Sequence, residues 1–119
     1  MHVVGYTEEI DLYMSAADLY ITKPGGLTTT EAIAKRTPLL FINAVPGCES
    51  RNFDFLTHSG VAVGAGSWRE VISKSCELLS KPEALEEQKH AMEKFLDQKA
   101  TEVICRQLQK ALRPLTPTV

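Results

Sequence analysis

The chain has 119 residues, enough for one domain with one hydrophobic core and too few for two. Apolar residues make up 44% of it and aromatic residues 7%, which is typical of soluble α/β proteins and excludes a disordered chain. The formal net charge is −2, and no cluster of Lys and Arg stands apart from nearby carboxylates, so nucleic acid is not an expected partner.

The cysteines and histidines are scattered. Cys48, Cys76 and Cys105 are an odd set without C-x-x-C spacing, so neither a disulfide framework nor a metal site is predicted, and a reducing cytosol fits best. No segment resembles a signal peptide, and no apolar run approaches the roughly 20 residues that span a bilayer. We therefore expect a cytoplasmic chain whose contact with a membrane is at most peripheral.

Four short apolar runs predict strands, because each is followed by turn residues and then by a helical pattern. They are residues 2–4, 19–22, 39–43 and 61–63. Strands that alternate with helices imply right-handed β-α-β units and a parallel sheet with helices on its faces. The predicted fold class is therefore α/β, with a partial Rossmann-like parallel sheet and C-terminal helices.

Apolar residues at helical spacing predict three helices between these strands. The first begins after Thr7 and ends at Asp18. The second covers residues 28–35 and stops before a proline, and the third covers residues 51–59 and is closed by Gly60.

Further helices follow the last predicted strand. Ser67 and Glu70 form an S-x-x-E capping box for a helix that runs to Ser80. One face of that helix is predicted to carry the apolar residues Trp68, Val71, Ile72, Cys76 and Leu79. Residues 83–112 are amphipathic, as one long helix or as two shorter ones bent near residues 99–101. Their polar face mixes acids and lysines, which favours packing against the domain over binding to a membrane.

Three loops are expected to meet where the strands end. In open α/β sheets ligands lie at the carboxyl ends of the strands, near helix N-termini that attract phosphate. The loops are residues 5–7, 23–30 and 43–52.

The second loop, KPGGLTTTEA, is the most informative. Gly25 and Gly26 lack a β-carbon, so the backbone can turn tightly and approach a ligand, and the hydroxyls of residues 28–30 add donors suited to a pyrophosphate. The loop is neither a Walker A sequence nor G-x-G-x-x-G. An equally weighted alternative is a plain glycine turn capped by Thr28, with Glu31 completing a capping box. Glu31 then either bonds the start of its own helix or accepts hydrogen bonds from a ribose diol.

The third loop, NAVPGCESRN, places polar side chains at a helix start, where they can read sugar hydroxyls. The alternative is that Glu49 and Ser50 simply cap that helix. Cys48 lies beside a predicted helix start, but no histidine lies near it in the sequence, so a catalytic cysteine is not favoured.

One stretch resembles a known family. It is residues 5–63, GYTEEIDLYMSAADLYITKPGGLTTTEAIAKRTPLLFINAVPGCESRNFDFLTHSGVAV. Its motifs G-[YF]-T, ADL-x-I-[ST]-K-PGG-x-T-x-x-E-A and P-G-x-E-x-x-N are similar to those of the C-terminal domain of processive diacylglycerol glucosyltransferases and monogalactosyldiacylglycerol synthases. These enzymes are relatives of the bacterial enzyme that adds N-acetylglucosamine to the peptidoglycan lipid intermediate. The match covers residues 3–66, over half of the chain, and the helices after Ser67 carry no diagnostic motif.

The resemblance implies a GT-B type glycosyltransferase with two Rossmann-like halves, of which the N-terminal one holds a lipid acceptor and the C-terminal one a nucleotide sugar. Residues 1–112 would be the C-terminal nucleotide-sugar-binding domain, truncated at its N-terminus, and residues 113–119 a frayed tail. The whole enzyme would be a hexosyltransferase of glycolipid biosynthesis. It would move a hexosyl group from UDP-hexose to a lipid acceptor such as diacylglycerol, with no cofactor and no metal, at the cytoplasmic face of the membrane.

The resemblance also implies roles for single residues. The uracil would be bordered by Gly5, Tyr6 and Thr7. Donors to the diphosphate would come from Gly25, Gly26, Leu27 and Thr28. The ribose hydroxyls would bond Glu31, and the sugar ring would be read by Cys48, Glu49 and Asn52. No catalytic residue is expected on this chain, because the general base would belong to the other half.

Two positions depart from the family pattern. Cys48 stands where relatives commonly have Gln, and a thiol cannot replace the two-sided hydrogen bonding of an amide. Arg36 stands where relatives usually have Gly, so it must end a helix without glycine, at a cost of about 1 kcal/mol.

In the family fold two strands of this domain precede the run at residues 2–4. That run must then pair elsewhere, pair with another chain or remain unpaired, and an exposed strand edge invites self-association. We expect the isolated chain to be inactive. The alternative function is a non-catalytic nucleotide-binding subunit, or an interaction module, that needs a separate acceptor domain.

Overall fold

The computed structural model describes residues 1–42, 47–96 and 99–112. Within these ranges three strands form one parallel sheet in the order β1-β2-β3. They are β1 Tyr20–Thr22, β2 Leu39–Ile42 and β3 Ala62–Ala65. Tyr20 lies opposite Leu39, and Leu39 lies opposite Ala62, so the three carboxyl ends share one edge of the sheet. The predicted α/β class with a partial Rossmann-like parallel sheet is confirmed.

In the described ranges six helices precede, connect and follow these strands. They are α1 Ile10–Ala16, α2 Gly26–Lys35, α3 Cys48–His58, α4 Trp68–Ser80, α5 Pro82–Leu96 and α6 Ala100–Ala111. Residues 83–112 are thus two helices, the second of the two predicted arrangements. Helix α3 begins at Cys48 rather than at Arg51. The predicted frayed tail, residues 113–119, lies outside the described residues.

The predicted strand at residues 2–4 is wrong for this structure. Residues 1–5 have no regular secondary structure, and Val3 is 87% exposed. A strand needs a neighbour to satisfy its N–H and C=O groups, and β1 pairs only with β2 in the described sheet. Within this chain the run is therefore unpaired, and its pairing with another chain stays a prediction.

The sheet has two unequal faces. One is covered by α1, α2, α3 and α5 and holds the larger apolar cluster of Met14, Ala32, Ile33, Leu39, Phe41, Leu56, Val61, Ala62 and Met92. The other is covered by α4 and holds the smaller cluster of Leu40, Ala65 and Val71. Helix α3 lies so close to β3 that a β-carbon at Gly64 would overlap the ring of Phe53.

Two buried side-chain hydrogen bonds tie the first face together. The Thr37 hydroxyl donates to the Met14 carbonyl at 2.7 Å, which joins the start of β2 to α1. The Leu39 N–H donates to Gln88 Oε1 of α5 at 2.8 Å. A buried amide left without such an acceptor would cost about 1–3 kcal/mol, so Gln88 stabilises the start of the central strand.

Helices α2 and α3 end in the same way with different residues. Arg36 adopts the left-handed conformation with φ 56°, its N–H donates to Ile33 O, and the Thr37 N–H donates to Ala32 O. The same pair of bonds closes α3, where Gly60 has φ 74°. The expectation that Arg36 ends a helix without glycine is confirmed.

Helix α4 turns a different face to the sheet from the one predicted. Val71 and Leu78 are buried, whereas Trp68 is 66% exposed and Ile72 and Leu79 are also exposed. The predicted apolar face was therefore mostly the outer one. The difference arises because residues 68–79 have two apolar stripes, and only contact with β2 and β3 selects one.

The two last helices also differ. Helix α5 packs on the domain through buried Gln88 and Met92, whereas no residue of α6, which is described over its whole length, is buried. Its apolar residues Val103, Ile104 and Leu108 are half exposed or more. None of the helices in the described ranges has the length and apolarity that crossing a bilayer requires.

Candidate functional site at the carboxyl edge of the sheet

The start of α2 follows β1 at the carboxyl edge of the sheet. Its N-cap residue is Gly25, in an extended conformation with φ −73° and ψ 145°. The Thr29 N–H makes the first helical bond, to Gly25 O at 3.1 Å. The amides of Gly26, Leu27 and Thr28 precede that bond and point along the helix axis. Together with the helix dipole they form a set of donors suited to an anion.

No side-chain hydrogen bond caps this helix start within the described part of the chain. The alternative in which Thr28 caps the helix and Glu31 completes a capping box is therefore wrong. Because α2 begins at Gly26, Thr28 and Glu31 both lie inside the helix. The Glu31 side chain is exposed and not used to close the helix start. Its predicted contact with ribose stays a prediction.

The backbone conformation at Gly25 and Gly26 does not require glycine. Neither Gly25 nor Gly26 has positive φ, and a β-carbon built on either would meet no atom within 4 Å. The empty protein would therefore accommodate a side chain at both positions. The space beside both glycines is therefore open, and a ligand that approached the backbone there would meet no side chain at these positions.

Two contacts join the turn 23–25 to the first turns of α3. The Asn52 side-chain Nδ2 donates to Pro24 O at 3.0 Å, in a partly buried position. Lys23 Nζ lies 3.7 Å from Glu49 Oε1, with the lysine side chain 61% exposed. Residues predicted from two separate loops, Glu49 and Asn52 from one and Gly25 and its neighbours from the other, are thus brought together.

The start of α3 carries the remaining predicted sugar-reading residue. Its N-cap is Gly47, with φ 109°, so neither Glu49 nor Ser50 occupies the capping position. Cys48 is the first helical residue and its thiol is free and exposed. Residues 43–46 of the predicted third loop lie outside the described residues.

The first loop is not drawn into this group. Gly5 is exposed, Tyr6 is 94% exposed, and the Thr7 hydroxyl accepts the Glu9 N–H at 3.0 Å beside the start of α1. Where the chain is described, no hydrogen bond or ion pair joins residues 5–7 to the loops after β1 and β2. Their contact with uracil stays a prediction.

Sequence reasoning missed the contact between Asn52 and Pro24. It also missed the ion pair between Lys23, which is 61% exposed, and Glu49. No local pattern signals either contact, because the hydrogen-bonded residues are 28 positions apart. Only the packing of α3 beside the turn brings them together.

At the start of α4, which follows β3, side chains of the same segment accept hydrogen bonds from backbone N–H groups. Ser67 Oγ accepts the Glu70 N–H at 3.3 Å, and Glu70 Oε2 accepts the Gly66 N–H at 3.0 Å. The Gly66 hydrogen bond, followed by the hydrogen bond and charge of Lys74, lowers the pKa of Glu70. The predicted capping box is confirmed, with the carboxylate bonding one residue earlier than in the usual form.

Comparison with known proteins gives a clear relationship. The chain is 35% identical over 106 residues to proteins named processive diacylglycerol beta-glucosyltransferase from Staphylococcus aureus strains JH9 and Newman. The match covers 89% of this chain and 27% of each relative, so the chain spans about a quarter of their length. No family model matches. No solved structure matches either. The matched stretch includes most of the described domain, and the sequence of the chain is consistent with a C-terminal fragment of the processive diacylglycerol glucosyltransferase family.

Proposed function

We propose that this chain binds UDP-hexose as the donor-binding part of a glycosyltransferase that moves a hexosyl group to a lipid acceptor such as diacylglycerol. The relatives' names support glucosyl transfer to diacylglycerol. The observation that supports nucleotide binding is the start of α2, which has no side-chain cap among the described residues. The amides of Gly26, Leu27 and Thr28, its first three helical residues, make no hydrogen bond in that part of the chain.

The chemistry follows from these donors. An acceptor hydroxyl attacks the anomeric carbon, the bond from that carbon to the diphosphate oxygen breaks, and UDP leaves with the electron pair. The amides of Gly26, Leu27 and Thr28 stabilise the negative charge that develops on the leaving diphosphate. The general base belongs to the acceptor-binding part of the enzyme, so the 119-residue chain binds donor without turning it over. In the whole enzyme this chain works at the cytoplasmic surface of the membrane that contains its acceptor.

Glu31 provides the direct test. The exposed carboxylate of Glu31 lies in the second turn of α2 and accepts the two ribose hydroxyls in the complex. We expect Glu31→Ala to weaken UDP binding about tenfold, the loss of about 1.4 kcal/mol of charge-assisted hydrogen bonding. Isothermal titration of the folded chain with UDP measures this effect.

The matched control is Glu83→Ala, an exposed glutamate in the first turn of α5. It should leave the affinity for UDP unchanged. A folded parent chain that gives no heat with UDP, or a Glu31→Ala variant that binds UDP as the parent does, would contradict the proposal.

A further inference from the structure

We propose that Asn52 is a positioning residue for the diphosphate site and does not select the sugar. This inference rests on the proposed function. It starts from the hydrogen bond of 3.0 Å that Asn52 Nδ2 donates to Pro24 O. A carbonyl can only accept, so the nitrogen of the side-chain amide must face it.

The bonded oxygen belongs to the peptide group that immediately precedes the N-cap of α2. The nitrogen of the same peptide group, that of Gly25, donates to Lys23 O at 2.8 Å. The Pro24–Gly25 peptide plane is therefore held at both of its polar atoms. Pro24 itself is fully buried, so side-chain packing also restricts the turn.

This peptide plane sets the direction of the donors that follow it. The next carbonyl, Gly25 O, accepts the first helical bond of α2, from Thr29. Rotation of the Pro24–Gly25 plane would therefore move the amides of Gly26 and Leu27 relative to the axis along which a phosphate approaches. Asn52, from α3, prevents that rotation through a bond that is partly screened from water.

The neighbouring ion pair contributes less. Lys23 Nζ and Glu49 Oε1 are 3.7 Å apart and the lysine is 61% exposed, so solvent and salt screen their attraction. Of these two contacts, the hydrogen bond of Asn52 is therefore the stronger connection between α3 and the turn 23–25.

The consequence distinguishes two roles for Asn52. A residue that reads sugar hydroxyls affects UDP-hexose and leaves UDP alone, whereas one that positions the phosphate donors affects both ligands equally. We expect Asn52→Leu, which removes the donor without adding charge, to weaken UDP and UDP-glucose by the same factor, about tenfold.

The experiment titrates the 119-residue chain, the Asn52→Leu variant and a Gln107→Leu control with UDP and with UDP-glucose. Gln107 is an exposed amide on α6, a helix without a buried residue, and its replacement should change neither affinity. Amide NMR spectra of the unliganded proteins provide a second readout. The Gly25 and Gly26 amide signals should move in Asn52→Leu and stay in place in Gln107→Leu. If the leucine variant does not fold, Asn52→Ala replaces it in both measurements.

Three results would overturn the inference. A loss confined to UDP-glucose would make Asn52 a sugar-reading residue. Unchanged affinity for both ligands, with unmoved glycine amides, would remove any role in positioning. A folded parent chain that does not bind UDP would overturn the proposed function and this inference with it, whereas the first two results leave the proposed function intact.

Discussion

Two helices begin at the same edge of the sheet, and their first turns differ. The start of α4 is closed by the protein itself, because Ser67 Oγ accepts the Glu70 N–H and Glu70 Oε2 accepts the Gly66 N–H. The start of α2 has glycine at its N-cap and no side-chain cap in the described part of the chain.

The difference shows which helix start is suited to an anion. At α4 a carboxylate already satisfies the positive end of the dipole, so a phosphate there would meet a like charge. At α2 the first donors have no partner among the residues that the structure describes, and the glycines leave room for a ligand. A parallel sheet places several helix starts on one edge, and the residues at each start decide which of them binds.

The largest expected effect comes from giving α2 the kind of cap that α4 has. Gly25→Asp places a carboxylate at the N-cap, and the backbone there, with φ −73° and ψ 145°, accepts any residue. We expect UDP affinity to fall about a hundredfold by like-charge repulsion, while stability rises by a few tenths of a kcal/mol.

Gly25→Asn is the matched control for that substitution, because asparagine caps a helix equally well without charge. It should weaken UDP binding less than Gly25→Asp does. Titration calorimetry gives the affinities and urea unfolding gives the stabilities. Equal affinities for the two variants would show that charge at this position is irrelevant.

The next largest effect is expected at Gly26, where a substitution should weaken UDP binding without lowering the stability of the fold. A methyl group in the first turn of α2 meets no protein atom within 4 Å, so Gly26→Ala should fold as well as the parent or better by up to about 0.5 kcal/mol. It should nevertheless weaken UDP binding about tenfold, because the methyl group occupies the space that the diphosphate needs. Calorimetry with UDP measures this loss.

Gly66→Ala supplies the equivalent change beside the start of α4, where a β-carbon also has ordinary space. Its affinity for UDP should match that of the parent chain. If Gly66→Ala and Gly26→Ala weakened binding equally, the two helix starts would not differ in the way described.

Removing the cap of α4 should affect stability alone. Ser67→Ala takes away the acceptor of the Glu70 N–H and should cost about 1 kcal/mol of unfolding free energy. Affinity for UDP should not change. Urea unfolding followed by circular dichroism, with a parallel UDP titration, tests both statements, and a weaker affinity in the folded variant would contradict the second.

The smallest effect is a pH dependence at Glu70. Its pKa is lowered from the ordinary value of 4.5, first by the Gly66 N–H and then by Lys74. A lowered folded-state pKa means that this stabilisation is present above about pH 4.5 and is lost as pH falls through the folded value. The stability difference between the parent and Glu70→Gln should therefore shrink in acid.

Glu77→Gln is the comparison for that measurement. The pKa of Glu77 is also lowered, but by Lys81 through a hydrogen bond and charge, without a backbone N–H at a helix start. Unfolding midpoints between pH 3 and pH 7 should therefore change more with pH for Glu70→Gln than for Glu77→Gln, both relative to the parent. Equal changes would assign the effect at Glu70 to its lysine alone.

The two helix starts also show how far local sequence patterns predict structure. S-x-x-E at Ser67 and T-x-x-E at Thr28 have the same spacing, yet only the first forms a cap. Pro24 is buried at the end of β1, and α2 begins two residues after it, before Thr28 is reached. Packing of the preceding turn, which no local pattern contains, therefore decides where α2 begins.

Some features were determined by the sequence itself. The alternation of β-strand and helix, the left-handed residue Arg36 that ends α2 and the Ser67 cap all depend on neighbours within a few positions. Short-range sequence patterns predict these features well, because turn geometry and hydrogen bonding across one helical turn involve only those neighbours.

Other features were decided only by the tertiary structure. The run at residues 2–4 has strand composition and no partner, Trp68 lies on the outer face of α4, and Asn52 bonds a carbonyl 28 positions away. Each depends on which surface packs against which, because backbone pairing, burial and long-range hydrogen bonds need groups that the chain brings together only when it folds.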